Sequence, residues 1–237
     1  MEANMKVRQL FDQDTWTYTY LLWDEATKEA AIIDSVKEKV ERDVKYIKDL
    51  GLTLKYALET HVHADHVTGA GDLRRQLGCK VGVHADGGAK CADIQITDDQ
   101  VFMVGSQEIK ALHTPGHTNG DISYLIDGAV FSGDALLIRA CGRTDFQQGD
   151  SATLYESIHG KLFNLPDETV VYPGHDYDGF TESTIGEEKA LNPRLGNENP
   201  KADFMQIMDT MNLPKPKRID IAVPGNLVCG LNEADAA

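Results

Sequence analysis

The sequence is poor in positive charge. Its 23 lysines and arginines face 38 aspartates and glutamates, a formal net charge of −15. Nucleic acids and anionic membranes need a positive face, so neither is expected as a partner. The four cysteines, Cys79, Cys91, Cys141 and Cys229, form no C-x-x-C pair and show no zinc-knuckle or disulfide-framework spacing. Free thiols are therefore expected, which fits a reducing compartment. No apolar run reaches the roughly 18 residues that span a bilayer. Met1 to Leu10 has neither an apolar h-region nor an Arg/Ser-rich amphipathic stretch, so no secretory or transit signal is read there. The expectation is a cytoplasmic protein, or a mitochondrial one where a presequence has been trimmed.

What is present suits an α/β protein. The chain has 237 residues, 41% of them hydrophobic, enough for a sizeable core. Residues 1–237 are read as one domain with a short Pro-rich extension from about 190 to 237. Trp16, Tyr18, Tyr20 and Leu22 alternate with Thr17, Thr19 and Leu21, the period of a strand. Further strands are expected at 30–33, 54–58, 80–83, 108–112, 122–126, 129–131 and 169–172. Ser35 and Glu38 have the spacing of a capping box, and Val40, Val44, Ile47 and Leu50 form the apolar stripe of the helix that follows. A second helix is expected near 69–77, and Leu154, Ile158 and Leu162 share the face of a third. The tail, broken by Pro193, Pro200, Pro214, Pro216 and Pro224, reads as less regular. Strands mixed with helices throughout suggest sheets covered by helices.

Chemistry concentrates in the histidines. Three of the eight lie in Thr60-His61-Val62-His63-Ala64-Asp65-His66, directly after an apolar strand. In extended backbone His61 and His63 face the same side, and strand ends are where open α/β folds place their chemistry. Three further pieces follow in order: Thr114-Pro115-Gly116-His117-Thr118, Phe131-Ser132-Gly133-Asp134 and Tyr172-Pro173-Gly174-His175. His84, His113 and His159 fall outside this pattern and are read as surface or packing residues.

H-x-H-x-D-H, with the later histidine, aspartate and histidine, resembles the metallo-β-lactamase superfamily. The resemblance implies an αββα sandwich with the metal at the edge between its sheets. A dinuclear hydrolase of that superfamily would use His61, His63 and His117 at one metal, Asp65, His66 and His175 at the other, and Asp134 as the bridge. The stretch from Asp134 through Gly142-Arg143-Thr144-Asp145-Phe146-Gln147-Gln148-Gly149 is similar to the persulfide dioxygenase, or sulfur dioxygenase, family. So are His175-Asp176-Tyr177-Asp178-Gly179-Phe180-Thr181, Leu191-Asn192-Pro193-Arg194-Leu195 and Leu213-Pro214-Lys215-Pro216.

That narrower resemblance implies one Fe(II) per chain, held by His61, His117 and Asp134. Two histidines and a carboxylate on one face leave positions open, the arrangement of non-haem Fe(II) oxygenases. It implies a glutathione persulfide substrate, oxidised by O2 to sulfite and glutathione. His63, Asp65, His66 and His175 would then orient ligands or waters. The glutathione carboxylates call for arginine forks, with Arg194 and Arg143 as candidates and Tyr177 as a hydrogen-bond donor. Cys141 is read as a small buried hydrophobe. Family members tend to be dimers, so a homodimer is a candidate assembly, and a separate sulfurtransferase is a candidate supplier of persulfide. The alternative is a dinuclear zinc glutathione thioester hydrolase of the glyoxalase II type. The segment after Asp134 counts against it, as does the short, proline-rich stretch after His175.

Overall fold

In the computed structural model, which describes residues 5–231, the chain opens as an antiparallel meander of β1 (Met5–Asp12), β2 (Thr17–Asp24) and β3 (Glu29–Ile33). Residues 1–4 and 232–237, the ends of the expected 1–237 domain and of its 190–237 extension, lie outside the described residues. The alternation in β2 sends successive side chains to opposite faces. Tyr18, Tyr20 and Leu22 enter a core between two sheets, while Leu21 and Trp23 enter a second core on the outer face. Both faces are covered, so every residue of β2 is buried.

Three parallel strands extend this sheet: β4 (Thr53–Leu58), β5 (Lys80–His84) and β6 (Ile94–Ile96). Parallel neighbours need a crossover connection, supplied by α1 (Val40–Asp49) and α2 (Ala70–Leu77). Val40, Val44 and Ile47 of α1 and Leu73 of α2 line the outer core. The second sheet contains β7 (Val101–Val104), β8 (Gln107–His113), β9 (Ile122–Ile126), β10 (Ala129–Gly133), β11 (Val170–Pro173) and β12 (Ser183–Thr184), in the order β12-β11-β10-β9-β8-β7. Its outer face is covered by α3 (Ser151–Gly160), α4 (Ile185–Leu191) and α5 (Lys201–Thr210), through Leu154, Ile158, Ile185 and Phe204. Three apolar layers separate helix, sheet, sheet and helix, which is the expected αββα sandwich.

Three local expectations fail. Ser35 does not cap α1. Its hydroxyl is buried without a hydrogen-bond partner, and the helix is entered through a 3-10 turn at Lys37–Lys39. A bridge between Val36 and Thr68 pins the chain there, and Glu38 pairs with Arg218 at 2.8 Å instead. The tail is more helical than its prolines suggest. Pro200 sits at the N-cap of α5, where its fixed φ is harmless, and α6 (Ile219–Asn226) contains Pro224. The expectation of free thiols fails in part. Cys91 and Cys229 form a disulfide across 138 residues, whereas Cys79 and Cys141 are free and buried. Their sequence spacing hid this pair, because the fold alone brings the two Cα atoms to 5.9 Å. Among the described residues no helix is long and apolar enough to cross a membrane.

Candidate metal centre

The four motifs meet because each follows the end of a strand at the same rim. His61 lies just beyond β4 of the first sheet, and His117, Asp134 and His175 lie beyond β8, β10 and β11 of the second. Thr17 at the start of β2 bridges to His175 and ties the rims together, with Tyr18 donating its N–H to the Gly174 carbonyl at 2.8 Å. Gly133 shows how tight the meeting is. Its φ is +52°, and a Cβ there would lie 2.6 Å from the Thr60 side chain. Only glycine lets β10 end this close to the His61 loop and turn Asp134 inward.

His61, His117 and Asp134 each bring one ligand atom into a group whose members lie within 4.8 Å of one another. Each is also held by its other polar atom. His61 Nδ1 lies 2.9 Å from Thr60 Oγ1, and that hydroxyl donates to Asp34 Oδ2 at 2.8 Å. The Thr60 oxygen therefore accepts from His61 Nδ1–H, which leaves Nε2 as the ligating nitrogen. His117 Nδ1–H donates to the Arg143 carbonyl at 2.6 Å, again leaving Nε2, which is 3.7 Å from Asp134 Oδ2. Asp134 Oδ1 accepts from His175 Nδ1 at 2.7 Å. Burial, reinforced by the neighbouring His63 and His117, holds the His61 pKa well below the usual imidazole value, so His61 is neutral and able to ligate. Burial opposes charge on Asp134 as well, but His175 beside it outweighs burial and holds the carboxyl below its ordinary range. Two imidazoles and one carboxylate, each oriented from behind, fit a divalent first-row metal.

The remaining members of the motif sit beside this group, paired partly with one another through Asp65 and partly with Asp34, Glu59 and Asp134. His63 is almost fully buried, with Nε2 3.2 Å from both Asp34 Oδ1 and Glu59 Oε2. Burial disfavours its charge, yet the Asp34 and Glu59 carboxylates prevail and raise its pKa well above the usual value. Asp65 Oδ2 is within 2.9 Å of His66 Nδ1, 3.1 Å of His175 Nε2 and 3.2 Å of Thr17 Oγ1. His175 thus faces a carboxylate at each nitrogen, and Asp134 and Asp65 together overcome the effect of burial and raise its pKa well above the usual value. His63, Asp65 and His66 still place ligand atoms within 4.8 Å of one another, and His63 Nδ1 and His66 Nε2 have no hydrogen-bond partner.

The expected substrate residues are placed unevenly. Arg143 is engaged. It forks onto Asp145 at 2.6 and 2.8 Å, donates to the Pro214 carbonyl at 2.7 Å, and stacks over Phe146. Arg194 donates to the Cys141 carbonyl at 3.0 Å from one guanidinium nitrogen. Tyr177 is 63% exposed, with its ring parallel to that of His175 at a centroid distance of 6.1 Å. Cys141 packs in the outer core of the second sheet, and burial pushes its pKa up. His84 and His113 stack at 3.9 Å and, with Asp86, form another close group. Their facing rings direct in-plane lone pairs side by side rather than at one point. His159 stacks on Tyr155.

Several contributors have no motif. Asp34 accepts the Thr60 N–H at 2.7 Å and also reaches His63, from a backbone with φ of +53°. The available signal was its place after the apolar run Ala30–Ile33, a strand end like those of the ligands. Thr17 and Glu59 gave no signal. Asp121 holds the turn after His117 by accepting from Thr118 N and Oγ1, each at 2.7 Å.

Residues 17–175 match the model of the metallo-beta-lactamase superfamily. The chain is 48% identical over 232 residues to the mitochondrial persulfide dioxygenase ETHE1 of Mus musculus, covering 97% of this chain and 90% of that one. The crystal structure of ETHE1 from Myxococcus xanthus superposes with a TM-score of 0.93 at 50% identity, covering 95% of this chain and all of that chain. The chain belongs to the persulfide dioxygenase family. A probable hydroxyacylglutathione hydrolase of Schizosaccharomyces pombe is more distant, 34% identical over 68% of this chain and 64% of its own length. Within the persulfide dioxygenase family, the group around His61, His117 and Asp134 is the candidate centre for the chemistry.

Proposed function

We propose that this chain oxidises the sulfane sulfur of glutathione persulfide with O2 at a single Fe(II) held by His61, His117 and Asp134. Family membership makes it an enzyme with persulfide dioxygenase activity; the thiol carrier, the metal and the stoichiometry are the finer reading. The balanced reaction takes glutathione persulfide, O2 and water to glutathione, sulfite and two protons. The observation that carries the reading is the convergence of three ligand atoms whose partner atoms are already fixed by Thr60, Arg143 and His175. Iron bound there supplies O2 activation, together with open positions for the persulfide sulfur. The protein's own work is to keep the His61 imidazole neutral, to orient His117 through the Arg143 carbonyl and to hold the Asp134 carboxylate ionised through His175.

Arg194 is proposed to clamp a glutathione carboxylate, since only one of its guanidinium nitrogens is committed to the protein contacts described. Tyr177, exposed beside His175, is proposed to flank the substrate. Arg143 is proposed to act at one remove, because its fork already holds Asp145 while its carbonyl orients His117. His63, Asp65, His66 and His175 are proposed to support the ligands. We propose further that 1–237 acts as one domain, as a homodimer, in the cytoplasm, with its persulfide supplied by a separate sulfurtransferase.

The test is oxygen uptake by iron-loaded protein on addition of freshly prepared glutathione persulfide. One sulfite per O2 consumed is expected. No uptake, together with rapid hydrolysis of a glutathione thioester by zinc-loaded protein, would establish the hydrolase instead.

A further inference from the structure

The segment after α5 returns across the molecule and packs on the back of the loop that carries His61. Asn226, at the last position of α6, is 4% exposed. Its amide makes three hydrogen bonds to that loop. Nδ2 donates to the carbonyls of His63 and His66, both at 2.9 Å, and Oδ1 accepts the Thr68 N–H at 2.7 Å. One side chain therefore satisfies three buried backbone groups within six residues of the motif. Thr68 passes the constraint on, because its hydroxyl donates to Glu59 at 2.7 Å and Glu59 faces His63. The contact is close as well as polar. A Cβ at Gly230 would lie 2.0 Å from the Thr68 carbonyl oxygen.

The apolar anchors of this segment lie mainly past α6, where Cys229 and Leu231 are buried, while Val223 alone of α6 packs on the outer core beside Ala222. Ile221 is 66% exposed, Leu227 is exposed, and of α6 itself only Ala222 and Asn226 are buried. Pro224 lies inside the helix, whose backbone it weakens by withholding an N–H. The covalent anchor lies three residues past Asn226, where Cys229 is bonded to Cys91 in the loop before β6. The Cys229 carbonyl also accepts the Gly71 N–H at 3.0 Å, at the start of α2. Cys229 is buried, but Cys91 is half-buried, so a thiolate can reach the bridge from that side.

We propose that Asn226 is a positioning residue for the metal-binding loop and that the Cys91–Cys229 disulfide holds it there, making the loop's rigidity dependent on the redox state of the bridge. Reduction by a dithiol breaks the Sγ–Sγ bond, leaves two protein thiols and oxidises the dithiol to its own cyclic disulfide. Asn226 then keeps its three hydrogen bonds through non-covalent contacts alone, those of the weakly buried α6 and of residues 229–231 with α2 and Lys37. The inference rests on the proposed metal site for its consequence for catalysis, but not for its structural content.

The experiment compares full-length iron-loaded wild type, Asn226→Ala, Asn226→Asp and Cys91→Ala, with Cys79→Ser as the control. Thiol titration of the unfolded, unreduced wild type should find two free thiols, and four after reduction. Amide hydrogen exchange over 61–69 should accelerate in Asn226→Ala, Cys91→Ala and reduced wild type, with β8 and β9 unchanged. Asn226→Asp, which keeps an acceptor for Thr68 but has no donor for the two carbonyls, should also accelerate it. Iron release to a chelator should quicken about 10- to 100-fold in the Asn226 variants, the range for losing a group that orients metal ligands. Four free thiols without reduction would overturn the bridge. Unchanged exchange over 61–69 in Cys91→Ala would overturn its holding role, and unchanged exchange in both Asn226 variants would overturn the positioning role. Failure of the functional reading would show separately, as wild-type protein that takes up no oxygen while the exchange differences persist.

Discussion

In the group of His61, His117 and Asp134, each side chain has one polar atom tied to the protein and one left to ligate. In the neighbouring group of His63, Asp65, His66 and His175, the polar atoms are tied unevenly: His63 and His66 each keep one nitrogen unpaired, whereas His175 keeps none. Asp65 Oδ2 serves three donors, and His175 meets a carboxylate at both nitrogens. Among the buried atoms there, His63 Nδ1 and His66 Nε2 are without hydrogen-bond partners. Residue types alone would allow two metals; the two groups differ in that both nitrogens of His175 already face carboxylates. The His175 ring lies between the Asp65 and Asp134 carboxylates, which raise its pKa against the effect of burial. Ligand identity therefore decides what a site can hold, and the second partner of each ligand decides how it is oriented.

The comparison breaks at once if Asp134 is dispensable. Asp134→Ala should lower kcat/KM by more than about 100-fold, beyond the range for a group that merely supports a ligand, and iron should be absent from the purified variant by elemental analysis. His63→Gln sharpens the contrast. It leaves Asp34 and Glu59 buried without their cationic partner, so denaturant unfolding should show a loss of about 3–5 kcal/mol, while iron content stays at one per chain. Loss of a metal equivalent instead would make His63 a ligand. For His175→Gln, Asp134 keeps its place but loses the charged donor at 2.7 Å. Iron affinity should fall about 10- to 100-fold, read by competition with a chelator. The smallest effect is expected from Arg194→Lys, which replaces a fork by a point charge. KM for glutathione persulfide should rise about tenfold with kcat nearly unchanged, the mark of uniform binding. A fall in kcat with constant KM would move Arg194 away from substrate and towards the support of Cys141.

Much of the scaffold was legible because apolar period and strand ends are local signals. The alternation through Tyr18, Tyr20 and Leu22 placed β2, and the four motifs at strand ends placed the site. The failures were non-local. Ser35 has the residue types of a cap, yet the Val36–Thr68 bridge fixes the chain before it can act as one. Cys91 and Cys229 pair only after the tail has crossed the molecule. Thr17 and Asn226 support the ligands from elements remote in sequence, so no spacing could announce them, and Asp34 had only its place at a strand end to mark it. Whether the motif holds one metal or two is equally absent from its residue types, because the same seven side chains serve both cases.

The most direct test is an anaerobic titration of metal-free protein with Fe(II), followed by calorimetry or by a competing chromophoric chelator. The account predicts one tight equivalent per chain, with oxygen uptake on glutathione persulfide rising in step and levelling off at that equivalent. A second equivalent of comparable affinity, with activity still climbing as it binds, would contradict it and make His63, Asp65, His66 and His175 ligands in their own right.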